Sequence, residues 1–295
     1  MKIGFVGLGN MGTGMANNIL NKIENKSDLF VYTRTLEKIK KFTSGGATGC
    51  TSINEITTSV DVLLTCLPNV ETSRQLFMGV DGIFEHANSN QVLVDHSTVD
   101  VKTSKDCFES ASSKGLKFLD APISGGPGGA ADGTLTIMVG GEKESFNYAK
   151  HAFSMMGTKI SHMGPSGAGT AMKLVNQLLV STNTVAAAEA FVLAEQSGVN
   201  LNAAIDILST SWGRSTMIER NGPITVNKQF ENSPAPLRNL VKDLGIIKEL
   251  TSQLGLKLPV TMASSGVVDE TMGLNLEEPD IAATALSIKK ISGIQ

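Results

Sequence analysis

The segment "KIGFVGLGNMG" near the N-terminus places Gly7, Gly9 and Gly12 directly after a short apolar run. This G-x-G-x-x-G spacing is typical of a strand that turns tightly into a helix. The first glycine allows the turn, the second lets the backbone approach a pyrophosphate, and the third lets the helix pack closely on the sheet. A glycine turn that binds nothing is the alternative, but a second strand-like run follows near residue 29. We therefore expect a dinucleotide to contact Gly7, Leu8, Gly9, Asn10, Met11 and Gly12.

Short apolar runs alternate with amphipathic stretches over the first half of the chain. Such continuous runs are typical of parallel strands that are covered on both faces. The intervening segments carry helix signals, as in "NVETSRQLF" and "VDVKTSKDCFESASSK". The pattern predicts a doubly wound α/β domain over residues 1–163. Its predicted strands lie at residues 2–8, 29–33, 60–67, 91–95, 116–121 and 134–141.

After residue 163 the pattern changes to helical spacing, so residues 164–295 are predicted to form an all-α domain. A long interdomain helix that begins near residue 167 is expected to join the two domains. Pro234 and Pro236 fit the first turn of one helix, and Pro279 is expected to open the last. The predicted helices are 167–197, 201–210, 236–254, 259–272 and 279–290. The third has an apolar stripe of Leu237, Leu240, Val241, Leu244, Ile247 and Leu254.

Charge and cysteine content exclude several classes of protein. The 25 basic and 28 acidic residues nearly cancel, which argues against a nucleic acid or a membrane surface as partner. Cys50, Cys66 and Cys107 have no metal-ligand spacing, and we expect no metal site. No signal peptide is recognisable and no uninterrupted apolar segment approaches the length of a bilayer span, so a cytoplasmic protein is expected.

The type of dinucleotide is indicated by the end of the second strand. NAD sites usually carry Asp or Glu there, whereas this chain has Thr33, Arg34 and Thr35. Arg34 could pair with a 2′-phosphate, although an exposed loop arginine is the alternative. NADP is therefore favoured, with NAD possible.

Ligands of open α/β sheets bind at the carboxyl ends of strands, where "CLPN" and "DHST" lie. We expect cofactor contacts from Leu67, Pro68 and Thr98. His96 is a candidate general base, but a structural histidine is the favoured interpretation.

The segment "DAPISGGPGGAADGTL" is rich in glycine. Its backbone amides could form an anion site for a small carboxylate, with the Ser124 hydroxyl as an extra donor and Gly125 and Gly126 beside it. A flexible connection between strands is the alternative.

Lys173 lies within an otherwise apolar helical run, in "KLVNQ", with Asn176 and Gln177 three and four residues later. That spacing places all three side chains on one helix face. A desolvated lysine is costly unless it is paired or has its pKa lowered, which suggests that Lys173 serves chemistry.

Five segments together resemble the β-hydroxyacid dehydrogenase family: "GLGNMG", "DHST", "DAPISGGPGGAADGTLTIMVGG", "GPSGAGTAMKLVNQ" and "VKDL". The family includes 3-hydroxyisobutyrate dehydrogenases and glyoxylate/succinic semialdehyde reductases. The resemblance implies a Rossmann domain followed by a helical domain, with the active site in the cleft between them. It also implies that Lys173 is the catalytic acid/base, that residues 124–126 bind the substrate carboxylate, and that Lys242 lies near the nicotinamide.

Two positions depart from the family pattern and leave the substrate open. Gln177 replaces the usual Asn, and His96 stands where a sulphur-bearing residue is more common. Asn176 and Gln177 are expected to bind substrate. Lys242 could instead be a plain surface lysine, and Trp212 and Arg214 could line the substrate site or simply lie in the core or on the surface.

The expected function is NADP-preferring interconversion of a small aldehyde acid, such as glyoxylate or succinic semialdehyde, and its hydroxy acid. The alternatives are 3-hydroxyisobutyrate oxidation with NAD(P), imine reduction on the same architecture, and a dinucleotide-binding module without turnover. Helices that are apolar on more than one face suggest a homodimer or homotetramer.

Overall fold

The computed structural model describes residues 1–294, and their contacts divide the chain into two units, one of Met1–Lys173 and one from Leu174 onward. The predicted boundary at residue 163 lies ten residues before this division, which falls inside a long helix.

Within the described residues, nine strands of the first unit form one sheet. They are β1 (Ile3–Val6), β2 (Leu29–Tyr32), β3 (Thr48–Gly49), β4 (Val62–Thr65), β5 (Val92–Asp95), β6 (Lys117–Asp120), β7 (Ile123–Ser124), β8 (Leu135–Gly141) and β9 (Gly157–Gly164). The helices of this unit are α1 (Asn10–Lys22), α2 (Leu36–Ser44), α3 (Ile53–Ser59), α4 (Val70–Met78), α5 (Ile83–His86), α6 (Val101–Ser113), α7 (Gly126–Asp132) and α8 (Lys143–Met156), with a 3₁₀ turn at Lys26–Asp28.

The strand order is β3-β2-β1-β4-β5-β6-β8-β7, with β9 paired to β8. All neighbours from β3 to β6 are parallel, as predicted. The sheet is nevertheless mixed, because β8 runs antiparallel to both β6 and β7. The six predicted strands are confirmed. The sequence pattern missed β3 and β7, which have two residues each, and β9, whose residues are mostly half-buried or exposed.

Alternate strand residues enter two cores, which explains the continuous apolar runs. Phe5, Leu64 and Val94 pack with Ile19 of α1 and Phe153 of α8 on one face. Leu63 and Leu93 pack on the other face with side chains of α4, α5 and α6, including Phe77, Phe84 and Cys107. Both faces of the central strands are therefore buried from solvent.

Part of the glycine-rich segment forms a helix after β7 rather than a flexible connection between strands. Residues Gly126–Asp132 form α7, with Pro127 in its first turn and Gly133 closing it in the left-handed conformation at φ 68°. Pro near the start and Gly just past the end of a helix is the usual asymmetry.

The second unit is helical, as predicted, and is entered by α9 (Ala168–Gln196). The other helices are α10 (Leu201–Leu208), α11 (Thr216–Val226), α12 (Leu237–Gln253), α13 (Pro259–Met272) and α14 (Thr284–Ile291), with a 3₁₀ turn at Ile281–Ala283. The sequence pattern missed α11, which carries an internal Pro223.

Several details of the predicted helices were wrong. Pro236 is the N-cap of α12 and lies outside its first turn. Pro279 precedes the 3₁₀ turn, and α14 begins only at Thr284. Within the stripe of α12, Leu254 is 62% exposed because it follows the end of the helix, whereas Leu237 and Leu244 are buried.

By length and composition, α9 is the one helix among the described residues that could cross a membrane, with a mean hydropathy of 1.3. About 39% of its most apolar window is buried. We expected no uninterrupted apolar segment of that length, and the apolar run of α9 is interrupted by Lys173, Asn176 and Gln177. The core helix of a soluble protein satisfies the same criterion, so the feature is weak evidence for a span.

Candidate active site

The turn after β1 has the conformation that its glycines predicted. Gly7 has φ +99°, and a side chain there would collide with the carbonyl oxygen of Cys66. A side chain at Gly12 would collide with the carbonyl oxygen of Gly7. Both positions are therefore restricted to glycine by the backbone that surrounds them.

The start of α1 fits a pyrophosphate. A Cβ at Gly9 would meet no other atom of the described residues within 4 Å, so the backbone is open to an approaching ligand. Gly9 is also the N-cap of α1 and supplies no side-chain hydrogen bond to the helix. The first N–H groups of the helix thus remain available to an anion, which the helix dipole also favours. Leu8 is buried beneath this turn, whereas Asn10 is exposed and Met11 half-buried.

The end of β2 presents positive charge. Thr33 is half-buried, and Arg34 and Thr35 are exposed. Lys38, in the first turn of α2, donates a 2.8 Å hydrogen bond to the carbonyl oxygen of Leu8. Residues 33–35, where an NAD site usually carries a carboxylate, hold none, and the segment 34–38 carries two cationic side chains and the single carboxylate of Glu37. The sequence motifs did not single out Lys38.

The loops after β4 and β5 are joined by Asp95, the first residue of the "DHST" segment, to which the sequence analysis assigned no role. Its buried carboxylate accepts hydrogen bonds from the Thr65 hydroxyl at 3.0 Å, the Ser97 N–H at 2.9 Å and the Ser73 hydroxyl. The Ser97 hydroxyl in turn accepts a 2.9 Å hydrogen bond from the N–H of Leu67. This network fixes the loop that carries Leu67 and Pro68 to the loop that carries the half-buried Thr98.

His96 is 1% exposed, and its Nδ1 lies 2.6 Å from the carbonyl oxygen of Ala121, so Nδ1 carries the proton. Burial lowers the pKa of His96 to about 4, against the opposing hydrogen bond to Ala121. The ring also packs edge-on against Phe153. These contacts support the structural interpretation of His96 over the general-base interpretation.

Residues 124–126 lie between β7 and α7. Ser124 is half-buried and pairs with Thr136 of β8, while Gly125 and Gly126 are exposed with φ +135° and +63°. Positive φ at both positions favours glycine. The exposed amides and the Ser124 hydroxyl are the donors that a carboxylate requires.

The N-terminus of α9 is fixed by Asp120 at the end of β6. The Asp120 carboxylate is 1% exposed and accepts hydrogen bonds from the N–H groups of Gly167 and Thr170, both at 2.8 Å. Burial raises the pKa of Asp120, while these two hydrogen bonds act to lower it. A Cβ at Gly169 would collide with backbone atoms of β8, so the helix lies against that strand at the closest distance that glycine permits. Lys173, one turn further along, is only 7% exposed.

In the second unit, Asp243 of α12 joins the predicted residues of α9 and α12. Gln177 Nε2 donates to Asp243 Oδ2 at 2.5 Å, and the Asn176 amide donates to Gln177 Oε1 at 3.0 Å. Lys242 Nζ lies 3.3 Å from Asp243 Oδ1. The carboxylate of Asp243 is buried and acts as the centre of this cluster.

Trp212 is fully exposed between α10 and α11, and Arg214 is exposed too, so neither is a core residue. Within residues 1–294, no group of three or more His, Cys, Asp or Glu side chains is placed to hold a metal ion.

The first unit carries most of the predicted site, and the second carries Asn176, Gln177 and Lys242. The first unit brings the dinucleotide turn, residues 33–35, the strand-end loops, residues 124–126 and Lys173 into one sheet-based framework. Asp95, Asp120 and Lys38 support this framework through hydrogen bonds to groups distant in sequence.

Comparison with known proteins agrees with this arrangement. Residues 2–164 match the family model of the NAD binding domain of 6-phosphogluconate dehydrogenase. Residues 167–286 match the model described as NAD-binding of NADP-dependent 3-hydroxyisobutyrate dehydrogenase.

Three relatives show the extent of the similarity. The chain is 32% identical over 298 residues to 2-(hydroxymethyl)glutarate dehydrogenase of Eubacterium barkeri, covering 100% of this chain and 97% of that one. It is 29% identical to glyoxylate/succinic semialdehyde reductase 1 of Arabidopsis thaliana, with 98% and 99% covered. The structure of 3-hydroxyisobutyrate dehydrogenase from Mycobacterium tuberculosis with L-serine superposes with a TM-score of 0.86 at 27% identity, with 98% and 99% covered. The chain belongs to the β-hydroxyacid dehydrogenase family of oxidoreductases that depend on a nicotinamide dinucleotide.

Proposed function

We propose that this protein is an NADP-preferring reductase that converts a small aldehyde acid, such as glyoxylate or succinic semialdehyde, to its hydroxy acid, with Lys173 as general acid/base. The observation that carries the proposal is the burial of Lys173 in the second turn of a helix whose start is fixed by Asp120. The same structural unit carries the dinucleotide turn and residues 124–126.

The roles of the chain's own residues follow from their chemistry. When bound, the nicotinamide supplies the hydride in the reducing direction. Lys173 holds a proton at Nζ, gives it to the oxygen of the substrate carbonyl, and stabilises the negative charge that develops there. In the oxidising direction its neutral amine accepts the hydroxyl proton. The Ser124 hydroxyl and the amides of Gly125 and Gly126 hold the substrate carboxylate.

The preference for NADP is supported by positive charge at the end of β2. Arg34 offers a planar fork of donors that suits a phosphate, and Lys38 lies on the first turn of the following helix. No carboxylate stands at positions 33–35 to accept hydrogen bonds from the ribose hydroxyls. Because the cellular NADP pool is kept largely reduced, preference for NADP favours reduction of the aldehyde acid.

The alternative is oxidation of 3-hydroxyisobutyrate with NAD(P), and similarity to the Mycobacterium tuberculosis enzyme supports it. The relatives are named for different small acids, so the class of substrate is better supported than any one acid.

Two further features belong to the proposal. Val175, Leu179 and Leu193 of α9 are about half or more exposed, which supports burial of this helix in a homodimer or homotetramer. None of the three cysteines, all of which lie in the described residues, forms a disulfide bond, and this supports a reducing, cytoplasmic setting. The near balance of 25 basic and 28 acidic residues supports the absence of a nucleic-acid or membrane partner.

The test is an absorbance assay that crosses NADPH and NADH with glyoxylate, succinic semialdehyde, tartronate semialdehyde and methylmalonate semialdehyde. We expect turnover with NADPH, and a loss of about 10²–10⁴-fold in Lys173→Ala. Binding of NADPH by this variant, measured by fluorescence, controls for folding. Binding without turnover by the unaltered protein would instead support a non-catalytic module, or a different carbonyl or imine substrate.

A further inference from the structure

One face of α1 carries Gly14, Asn18 and Lys22, four residues apart, and we name these three residues the capping stripe. Residues at that spacing lie above one another on a helix. The stripe lies against the C-terminal ends of α7 and α8. The proposed reaction assigns no role to any of its members.

Asn18 closes the C-terminus of α7. Its Nδ2 lies 2.8 Å from the carbonyl oxygen of Ala130, 2.9 Å from that of Ala131 and 3.0 Å from that of Gly14 in its own helix, so its two N–H groups are shared among three acceptors. The last carbonyl groups of a helix have no partner within that helix. Asn18 is itself buried, and its hydrogen bond to Ala130 is shielded from water and therefore costly to lose, whereas the other two bonds are partly buried.

The two helices touch at backbone distance. A Cβ at Gly14 would lie 2.8 Å from the carbonyl carbon and oxygen of Ala130, and a Cβ at Gly133 would lie 2.6 Å from Asn18 Oδ1. Lys22 extends the stripe by donating a 2.7 Å hydrogen bond to the carbonyl oxygen of Met155 at the end of α8. Little freedom remains for α7 to move along α1.

This attachment connects the two proposed binding segments. The dinucleotide turn leads directly into α1, and residues 124–126 lead directly into α7. Because α7 has seven residues, it is about 10 Å long and is expected to move as one rigid piece. A displacement of its C-terminus would therefore displace the carboxylate-binding residues at its start.

We propose that Asn18 is a positioning residue that sets the substrate-binding residues 124–126 against the dinucleotide turn. The inference rests on the proposed function for the identity of the two ligands. In this role Asn18 acts through α7, whose carbonyl groups it binds, and not by direct contact with a ligand. A small displacement of a substrate-binding group changes affinity and rate strongly, which makes the role measurable.

The experiment compares Asn18→Ala and Asn18→Ser with Ile19→Val in the full-length protein. Ile19 is buried on the same helix and belongs to the core that lies beneath it, so its variant reports general destabilisation. KM and kcat are measured for the acid that gives turnover, the Kd of NADPH is measured by fluorescence, and backbone amide exchange is followed by mass spectrometry.

We expect Asn18→Ala to raise KM for the acid by about tenfold while the Kd of NADPH stays unchanged. Amide exchange is expected to accelerate over residues 125–134 and to remain unchanged over α8, which Lys22 still holds. Asn18→Ser retains one hydrogen-bond donor, so its KM and its exchange rates are expected to lie between those of the unaltered protein and those of Asn18→Ala. It also replaces Asn18→Ala in the experiment if that variant does not fold.

The inference would be overturned if both Asn18 variants had the same KM for the acid as Ile19→Val and the same amide exchange rate over residues 125–134. Uniformly faster exchange with unchanged KM would also overturn it and would assign Asn18 a purely structural role. Lack of turnover by the unaltered protein would overturn the proposed function instead, and the exchange measurement would still show whether Asn18 holds α7.

Discussion

Asp120 at the end of β6 accepts a 2.8 Å hydrogen bond from the backbone N–H of Thr170, three residues before Lys173 on α9. The other oxygen of the same carboxylate accepts one from the N–H of Gly167. A carboxylate at a helix N-terminus satisfies donors that the helix leaves unpaired and is favoured by the helix dipole. The position of Lys173 is thereby tied to the sheet through one side chain.

Replacement of this carboxylate is expected to be destabilising. In Asp120→Asn one oxygen becomes an NH₂ group, which leaves a buried backbone N–H without an acceptor. We expect the free energy of unfolding to fall by about 1–3 kcal/mol, measured by urea denaturation, and turnover to fall with it. The control is Asp106→Asn, which removes a partly exposed ion pair with Arg74 and Lys102, worth less than about 1 kcal/mol. An equal loss in both variants would contradict the capping role.

Arg34 is expected to set the dinucleotide preference. Arg34→Ser removes the planar donor group, so KM for NADPH should rise about tenfold while KM for NADH changes little. Steady-state kinetics with both cofactors measure the ratio. Lys40→Ala removes one charge from the exposed surface of α2 and controls for general electrostatics. Equal changes of the NADPH and NADH constants in Arg34→Ser would show that Arg34 does not contact a 2′-phosphate.

Gln177 is expected to influence the choice of acid. Gln177→Asn shortens the side chain by one methylene, so its amide no longer reaches Asp243, and the cluster with Lys242 loosens. We expect the ratio of kcat/KM for glyoxylate and succinic semialdehyde to change by about tenfold. Thr182→Ala is the control, because the Thr182 hydroxyl bonds to carbonyl groups of its own helix. An unchanged ratio would remove Gln177 from the set of substrate-binding residues.

His96 is expected to make stability depend on pH. Its pKa falls from an ordinary 6.5 to about 4 in the folded protein, so folding favours the neutral ring. The stabilisation is complete above pH 6.5 and is lost as the pH falls towards 4, because the unfolded chain then binds the additional proton. Since a tenfold change in proton affinity corresponds to about 1.4 kcal/mol, the stabilisation amounts to about 3 kcal/mol.

The measurement is the free energy of unfolding of the parent and of His96→Met between pH 7 and pH 4, a range chosen to span the folded and unfolded pKa values of the ring. The free energy of unfolding of the parent should fall relative to that of His96→Met as the solution is acidified. Parallel curves over the whole range would mean that His96 is protonated equally in the folded and unfolded states.

Much of the fold could be predicted because its signals are local. The six apolar runs reflect strands covered on both faces, and Gly7 and Gly12 reflect a turn that leaves no room for a side chain at either position. Lys173 was identifiable because an ammonium within an apolar helical run conflicts with the surrounding pattern. The strands β7 and β9 escaped prediction because their side chains carry little periodic signal and pairing to β8 defines them.

The sequence by itself determined the class of fold, the dinucleotide turn and the candidate lysine, because each depends on residues within a few positions of one another. Only the tertiary structure assigned roles to Asp120, Asp95 and Asn18. Asp120 lies 47 residues from Gly167, and Asn18 lies 112 residues from Ala130. Their partners are mostly backbone groups, which every residue possesses, so no pattern of side chains along the chain marks the pairing. The folded backbone brings those groups within 3 Å of the side chains that hold them.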